Sequence, residues 1–228
     1  MKHVGIAAVT AEGAALVYRK ICSIASSQLG GHRHPEISLH SFSFSEHVNA
    51  GEKPHDKWAQ LIRDSASKLH ASGADFMICP SNTPHAVYEH VVRDLPLPWL
   101  HIAEAVRKQS ERSGFHRLLL LGTHFTCNST VYDDYCRRSG ISVVRPTLQQ
   151  ISHMHQLITN ELVTGEVSMA SRDFFSNLIR DQSKSGVDAV ILGCTELPLA
   201  ISPASSDLPL VDSTVELAKA AVEYAINS

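Results

Sequence analysis

Short apolar runs alternate along the chain with longer stretches in which apolar positions recur at helical spacing. The short runs have the length of buried strands, at residues 4–9, 37–42, 76–79, 118–121, 141–144 and 189–192. Helical spacing covers residues 57–71, 102–113, 170–185 and 213–226. Because buried strands joined by helices form parallel sheets with right-handed crossovers, the pattern predicts an α/β fold.

The chain also repeats itself at an offset of 113 residues. The segment that begins at Gly73 falls on the one that begins at Gly186, and residues 94–97 (DLPL) fall on 207–210, which have the same sequence. Residues 3–10 fall on 116–123 at the same offset. We therefore predict two pseudo-symmetric lobes, each a parallel sheet flanked by helices, at residues 1–100 plus 213–228 and 101–212. The alternative is two independent βα units that merely look alike.

Composition excludes several partners. The net charge is −3 with no basic run, which argues against nucleic acid, and no apolar run approaches the length of a membrane span. The N-terminus enters an apolar strand directly and lacks the segments of a signal peptide, so we expect a cytoplasmic protein.

Cysteine and histidine usage predicts neither disulfides nor a metal. The five cysteines form no CxxC pair, and an odd number favours free thiols in a reducing compartment. Fourteen histidines are unusual, but the two closest pairs, His32 with His34 and His153 with His155, have a spacing that points helical side chains to different faces.

Four polar residues follow predicted strands: Thr10, Ser81, Thr123 and Cys194. Ligands of parallel α/β sheets bind beyond the carboxyl ends of the strands, so these residues belong to the functional edge. If the lobes face each other, Ser81 and Cys194 approach one ligand from opposite sides.

Each of these two residues is followed by a polar run that could open a helix, Asn82-Thr83 or Thr195-Glu196. Backbone N–H groups at such a position favour an anion such as a carboxylate and lower the pKa of a thiol. Two opposed proton-transfer groups beside a carboxylate are what racemisation at an α-carbon requires. No glycine-rich nucleotide or phosphate loop is found, which favours chemistry without a cofactor.

Several motifs resemble the aspartate/glutamate racemase family. Residues 193–199 (GCTELPL) are similar to its second catalytic motif, and residues 81–85 (SNTPH) to its first, which usually reads Cys-Asn-Thr followed closely by His. Residues 100–104 (LHIAE), 122–126 (GTHFT) and 211–214 (VDST) match further family segments. The resemblance implies an active site in the interlobe cleft, a small-molecule carboxylate substrate, a homodimer, and neither metal nor pyridoxal phosphate.

The resemblance also implies roles for individual residues. Cys194 matches one catalytic cysteine, and Ser81 stands in place of the other. The positions implied to bind substrate are Thr10, Asn82, Thr83, Thr123, Thr126, Thr195, Glu196 and His85. From the residues alone, the threonines and Asn82 could equally be turn and cap residues, with Thr126 capping a helix through Tyr135. Ser81 could bind a carboxylate without transferring a proton.

The departures from the family pattern affect chemistry and substrate. A serine hydroxyl is a far weaker acid than a thiol, and Cys79, two residues earlier, is expected to be buried. Residues 42–51 lack the Arg or Gln that often binds the distal carboxylate, and His124 stands where many members have Arg.

Three functions remain open. The first is a racemase for aspartate or glutamate, and the second is a single-thiol decarboxylase or cis-trans isomerase of a small dicarboxylate. The third is a non-catalytic carboxylate-binding protein.

Overall fold

The computed structural model describes residues 1–49 and 53–227. The chain divides into two compact units, Met1–Ala105 with Thr214–Ser228, and Val106–Ser213. The first unit is built on a four-stranded parallel sheet in the order β2-β1-β3-β4. Its strands are β1 (Val4–Ala8), β2 (Ile37–Ser41), β3 (Phe76–Ile78) and β4 (Trp99–Leu100).

Helices flank this sheet. They are α1 (Ala11–Leu29), α2 (Phe44–Val48), α3 (Pro54–Ala71), α4 (Tyr88–Val91) and α5 (Ile102–Arg112), which runs into the second unit, and short 3-10 turns lie at Thr83–Val87 and Val92–Asp94. Side chains of β1 alternate between two cores, as the strand period requires. Val4 and Ile6 pack with residues of α1 and of the C-terminal helix, whereas Ala7 packs with α3.

The second unit has the same sheet order, β6-β5-β7-β8, and all strands are again parallel. The strands are β5 (Arg117–Leu121), β6 (Ser142–Val144), β7 (Ala189–Leu192) and β8 (Leu210–Asp212). The helices are α6 (His124–Cys127), α7 (Asp133–Cys136), α8 (Leu148–Asn160), α9 (Met169–Ser183) and α10 (Leu197–Ala200), with 3-10 turns at Arg137–Ser139, Leu162–Thr164 and Pro203–Ser205. The C-terminal helix, α11 (Ser213–Ile226), packs in the core of the first unit. Two parallel sheets flanked by helices confirm the predicted fold class.

The sequence repeat has a structural counterpart at the amino ends of the sheets. Asp75 accepts a hydrogen bond from the His3 backbone N–H at 2.7 Å. At the equivalent place Asp188 accepts from the N–H groups of His116 and Arg117, at 2.6 and 2.8 Å. Each aspartate therefore ties the entry of one strand to the entry of its neighbour.

Two features differ from the sequence-based expectation. Strands β4 and β8, which have only two and three residues, were not among the predicted strands. The segment after Thr126, expected to continue as a helix through Tyr135, is interrupted after Cys127 and resumes as α7. Within residues 1–49 and 53–227, no helix combines the length and the apolar character needed to cross a lipid bilayer.

Candidate functional site

Cys194 lies two residues beyond the carboxyl end of β7 and is half-buried. Its thiol donates a hydrogen bond to Oε2 of Glu196 at 2.9 Å. Glu196 is itself buried, with 7% of its surface exposed. The backbone N–H groups of Thr195 and Glu196 also hydrogen-bond to the sulfur. The sulfur is therefore held between a carboxylate that accepts its proton and two amides that favour its anion.

This environment raises the pKa of the Cys194 thiol well above its ordinary value. Burial is the largest cause, and the charge and hydrogen bond of the Glu196 carboxylate come next. The two backbone amides lower the pKa by less. The expectation of a lowered thiol pKa at this position is therefore wrong, because it counted the amides and left out burial and the neighbouring carboxylate.

Backbone contact between two glycines fixes Cys194 against the end of β5. Leu121 and Leu192 are register partners on adjacent strands, and the Gly193 N–H donates to the Leu121 carbonyl at 2.7 Å. A Cβ atom on Gly193 would lie 2.8 Å from that carbonyl oxygen, and one on Gly122 would lie 3.0 Å from the Gly193 oxygen. Neither position has room for a side chain, so the backbone that carries Cys194 is held against the end of β5.

Thr123 and Thr126 form the turn that follows β5. Thr123 caps α6 by accepting from the Thr126 N–H at 3.5 Å, and its hydroxyl lies 3.5 Å from that of Thr126, which is buried. Sequence reasoning missed the residue that fastens this turn, Arg145. Its guanidinium donates to the carbonyls of Cys127 and Ser129 at 2.6 and 2.9 Å and pairs with Asp133. Only its nearby partners in space reveal this role.

In the first unit the polar residues follow β1 and β3, which are paired strands. Thr10 caps α1 by accepting from the Gly13 N–H at 3.2 Å. Ser81 and Thr83 are half-buried and Asn82 is buried, at the start of the 3-10 turn.

Cys79, directly before this segment, is fully buried as expected. Burial raises the pKa of its thiol to about 12, and the thiol donates to the Ser81 carbonyl at 3.8 Å. Its partner is a backbone carbonyl, which cannot take up the thiol proton, so Cys79 lacks the acceptor that Cys194 has in Glu196.

His85 lies in the core of the first unit. Its Nε2 donates to the Cys79 carbonyl at 3.0 Å, and its Nδ1 accepts from the Ile102 N–H at 3.5 Å. The ring packs between Trp99 and His101. Burial lowers the pKa of His85 to about 4, so the ring is neutral at neutral pH. With both nitrogens engaged, His85 ties the segment that carries Ser81 to the start of α5.

The structure thus brings the predicted residues together in two groups, one at each sheet edge. Thr10, Ser81, Asn82 and Thr83 lie in the first unit, and Thr123, Thr126, Cys194, Thr195 and Glu196 lie in the second. Of the stretch 42–51 noted for its lack of Arg or Gln, residues 50 and 51 lie outside the described residues. Among the residues that the structure describes, no group of three or more His, Cys, Asp or Glu side chains is arranged to hold a metal ion.

Comparison with known proteins decides the family. The family model described as Asp/Glu/Hydantoin racemase matches residues 6–221. The chain belongs to the Asp/Glu/hydantoin racemase family. Among curated relatives of this family, the broad specificity amino-acid racemase RacX of Bacillus subtilis is 29% identical over 74% of this chain and 72% of its own length. A glutamate racemase of Aquifex aeolicus is 23% identical over 85% of this chain and 76% of its own length.

Solved structures agree with this membership. An aspartate racemase homologue from Pyrococcus horikoshii has a TM-score of 0.86 at 28% identity and covers 99% of both chains. A candidate Asp/Glu racemase from Yersinia pestis has a TM-score of 0.89 at 31% identity, covering 99% of this chain and all of the other. The two-lobed fold of Asp/Glu racemases is therefore the fold of this chain.

Proposed function

We propose that the protein is a cofactor-independent racemase of an acidic amino acid, aspartate or glutamate, with Cys194 and Ser81 as its proton-transfer groups. The observation that carries the proposal is the Cys194 thiol hydrogen-bonded to the buried Glu196 carboxylate. This pair lies at the edge of a parallel sheet where ligands of α/β proteins bind. Membership of the racemase family supports the reaction class.

Proton transfer begins at the thiol. The Glu196 carboxylate accepts the thiol proton, and the resulting thiolate removes the α-hydrogen of the substrate as a proton. The amides of Thr195 and Glu196 stabilise the thiolate while it exists. The electron pair left on the α-carbon delocalises into the substrate carboxylate, which the polar residues that follow the strands bind through hydrogen bonds.

Ser81 serves the other face of the α-carbon. Its hydroxyl relays a proton from water to the carbanion, because a serine is too weak an acid to rest as an anion. In the opposite direction Ser81 would have to remove the α-hydrogen, so we expect the two directions to differ in rate. The direction in which the thiolate takes the proton is the faster one.

The test follows exchange of the α-hydrogen for deuterium. Proton NMR in heavy water is recorded on both enantiomers of aspartate and glutamate, on arylmalonate and on maleate, without added cofactor. We expect exchange of aspartate or glutamate by the wild type and loss of exchange in Cys194→Ala. Ser81→Cys should accelerate the slow direction.

Two outcomes would contradict the racemase. Turnover of arylmalonate or maleate without amino-acid exchange would identify the single-thiol decarboxylase or isomerase. Thermal stabilisation by small carboxylates with no turnover, unchanged in Cys194→Ala, would identify a binding protein. The homodimer is part of the proposal, and sedimentation velocity tests it.

A further inference from the structure

Two imidazole rings meet beside the turn that follows β5. His124 is the first residue of α6 and comes directly after Thr123. Its ring centroid lies 4.0 Å from that of His155 on α8, with the ring planes 84° apart. The Phe125 ring lies 4.0 Å from the His124 ring and 6.2 Å from the His155 ring. We call His124 and His155 the histidine pair.

The histidine pair lies at the same sheet edge as the candidate catalytic thiol. Cys194 follows Leu192 by two residues, and His124 follows Leu121, the register partner of Leu192, by three. The hydrogen bond from the Gly193 N–H to the Leu121 carbonyl fixes the two strand ends to each other. Cys194 and His124 therefore follow neighbouring strands at one sheet edge, where ligands of parallel α/β sheets bind.

The surroundings of the His155 ring disfavour a positive charge on it. Burial lowers the pKa of His155, and a charge on His124 lowers it further. The Nδ1 atom of His155 is buried, and it has no hydrogen-bond partner among residues 1–49 and 53–227. His155 is thus a ring held in the protein with its charged form disfavoured, and the half-exposed His124 is the member of the pair that directly follows Thr123.

We propose that His124 is a specificity-determining residue that binds the side-chain carboxylate of the substrate, and that His155 positions it. The inference rests on the proposed function, since it assigns the side-chain half of the same substrate. The edge-to-face contact fixes the orientation of the His124 ring. The Phe125 ring, which is exposed, also contacts the His124 ring.

The experiment compares His124→Gln with the control His153→Gln. His153 lies on α8 one residue before Met154, is exposed, and packs on Phe174 rather than on His124. In His124→Gln the KM for the preferred acidic amino acid should rise about ten- to hundredfold, the range of a hydrogen bond to a charged group. The kcat should change much less, and exchange of alanine should be unaffected. His124→Arg should restore the KM, and His155→Phe should give an intermediate KM.

A second measurement does not depend on turnover. Calorimetry compares succinate, which has two carboxylates, with butyrate, which has one. Selective loss of succinate affinity in His124→Gln supports the inference even if the wild type exchanges no amino acid, a result that would overturn only the proposed racemase. Equal losses for succinate and butyrate, or for acidic and neutral amino acids, would overturn the role of His124. Unchanged KM and succinate affinity in His124→Gln would also overturn it.

Discussion

At the scale of single residues, the chemistry is set by which charges surround a group rather than by its identity alone. Cys194 and Cys79 are both thiols after a strand, yet only Cys194 has a carboxylate that can accept its proton. The sequence indicated Glu196 as a substrate-binding residue. That role stays a prediction, and the hydrogen bond from the thiol is the basis for proposing Glu196 as the base for Cys194. The amino-acid sequence could not show this hydrogen bond, because it does not define the rotamers or the burial of the two side chains.

Replacing the carboxylate of Glu196 tests this role. In Glu196→Gln the pKa of Cys194 should fall, because the neighbouring negative charge is gone while both backbone amides remain. Thiolate absorbance or alkylation rate followed against pH measures the shift. Exchange activity should nevertheless drop about 100- to 10,000-fold, the usual contribution of a general base. Glu161→Gln, which removes a carboxylate bound to Ser171 on another part of the unit, is the control and should change neither quantity. An unchanged pH profile in Glu196→Gln would exclude the thiol–carboxylate pair.

His85 should make stability depend on pH. The unfolded chain binds a proton at His85 below about pH 6.5, whereas the folded chain does so only near pH 4. The free energy of unfolding should therefore fall as the pH is lowered from 6.5 to 4, by up to about 3 kcal/mol from this residue. Urea unfolding of wild type and His85→Gln across this range measures the contribution as a difference. The exposed His90→Gln should keep the wild-type slope, and an equal slope in His85→Gln would show that the ring titrates normally.

At the scale of elements, the close approach of β5 and β7 at their carboxyl ends determines where the functional residues lie. The apolar runs predicted both strands, and β7 matches its predicted bounds. Gly122 and Gly193, which allow the contact, directly follow these two apolar runs. Only the pairing of the strands shows that a backbone carbonyl lies where a Cβ atom of each glycine would be. Strands as short as β4 were not predictable, because two residues carry no period.

Gly193→Ala should separate these two strand ends. The added methyl would lie 2.8 Å from the Leu121 carbonyl oxygen and 3.1 Å from the Leu120 side chain. We expect a stability loss of about 1–3 kcal/mol and a fall in kcat of about hundredfold, because the thiol shifts relative to Thr123. Unfolding and exchange assays measure the two effects. Gly186→Ala, where nothing lies within 4 Å but φ is +77°, should cost stability alone. Full activity in Gly193→Ala would refute the positioning argument.

At the scale of the whole molecule, the repeat was the strongest sequence signal for the fold. It predicted two sheets with equivalent strands, and the sheet orders β2-β1-β3-β4 and β6-β5-β7-β8 confirm this equivalence. The hydrogen bonds of Asp75 and Asp188 were not predicted, although both residues lay in the repeated segment. Aspartates between a glycine and a strand also occur as ordinary turn residues, so only the backbone geometry distinguishes the two roles.

Equivalent aspartates should make equivalent contributions to stability. Asp75→Ala and Asp188→Ala each remove a carboxylate that accepts backbone N–H bonds, at an expected cost of about 1–2 kcal/mol. Because the two residues belong to different units and share no hydrogen-bond donor, the double variant should show the sum within about 0.5 kcal/mol. Chemical denaturation of the wild type, the two single variants and the double variant gives the double-mutant cycle. A coupling energy well beyond that margin would mean that the two aspartates do not act independently.

The position of these aspartates has a consequence for how such a protein can diversify. Asp75 and Asp188 hold the strands at their roots, whereas Ser81 and Cys194 stand at the opposite tips. Natural or laboratory selection can then replace residues at the carboxyl end of a strand, while the hydrogen bonds at its amino end preserve the fold. A combinatorial library confined to the tip of β3 should consequently return mostly folded variants, and among them reactions that the present serine does not support.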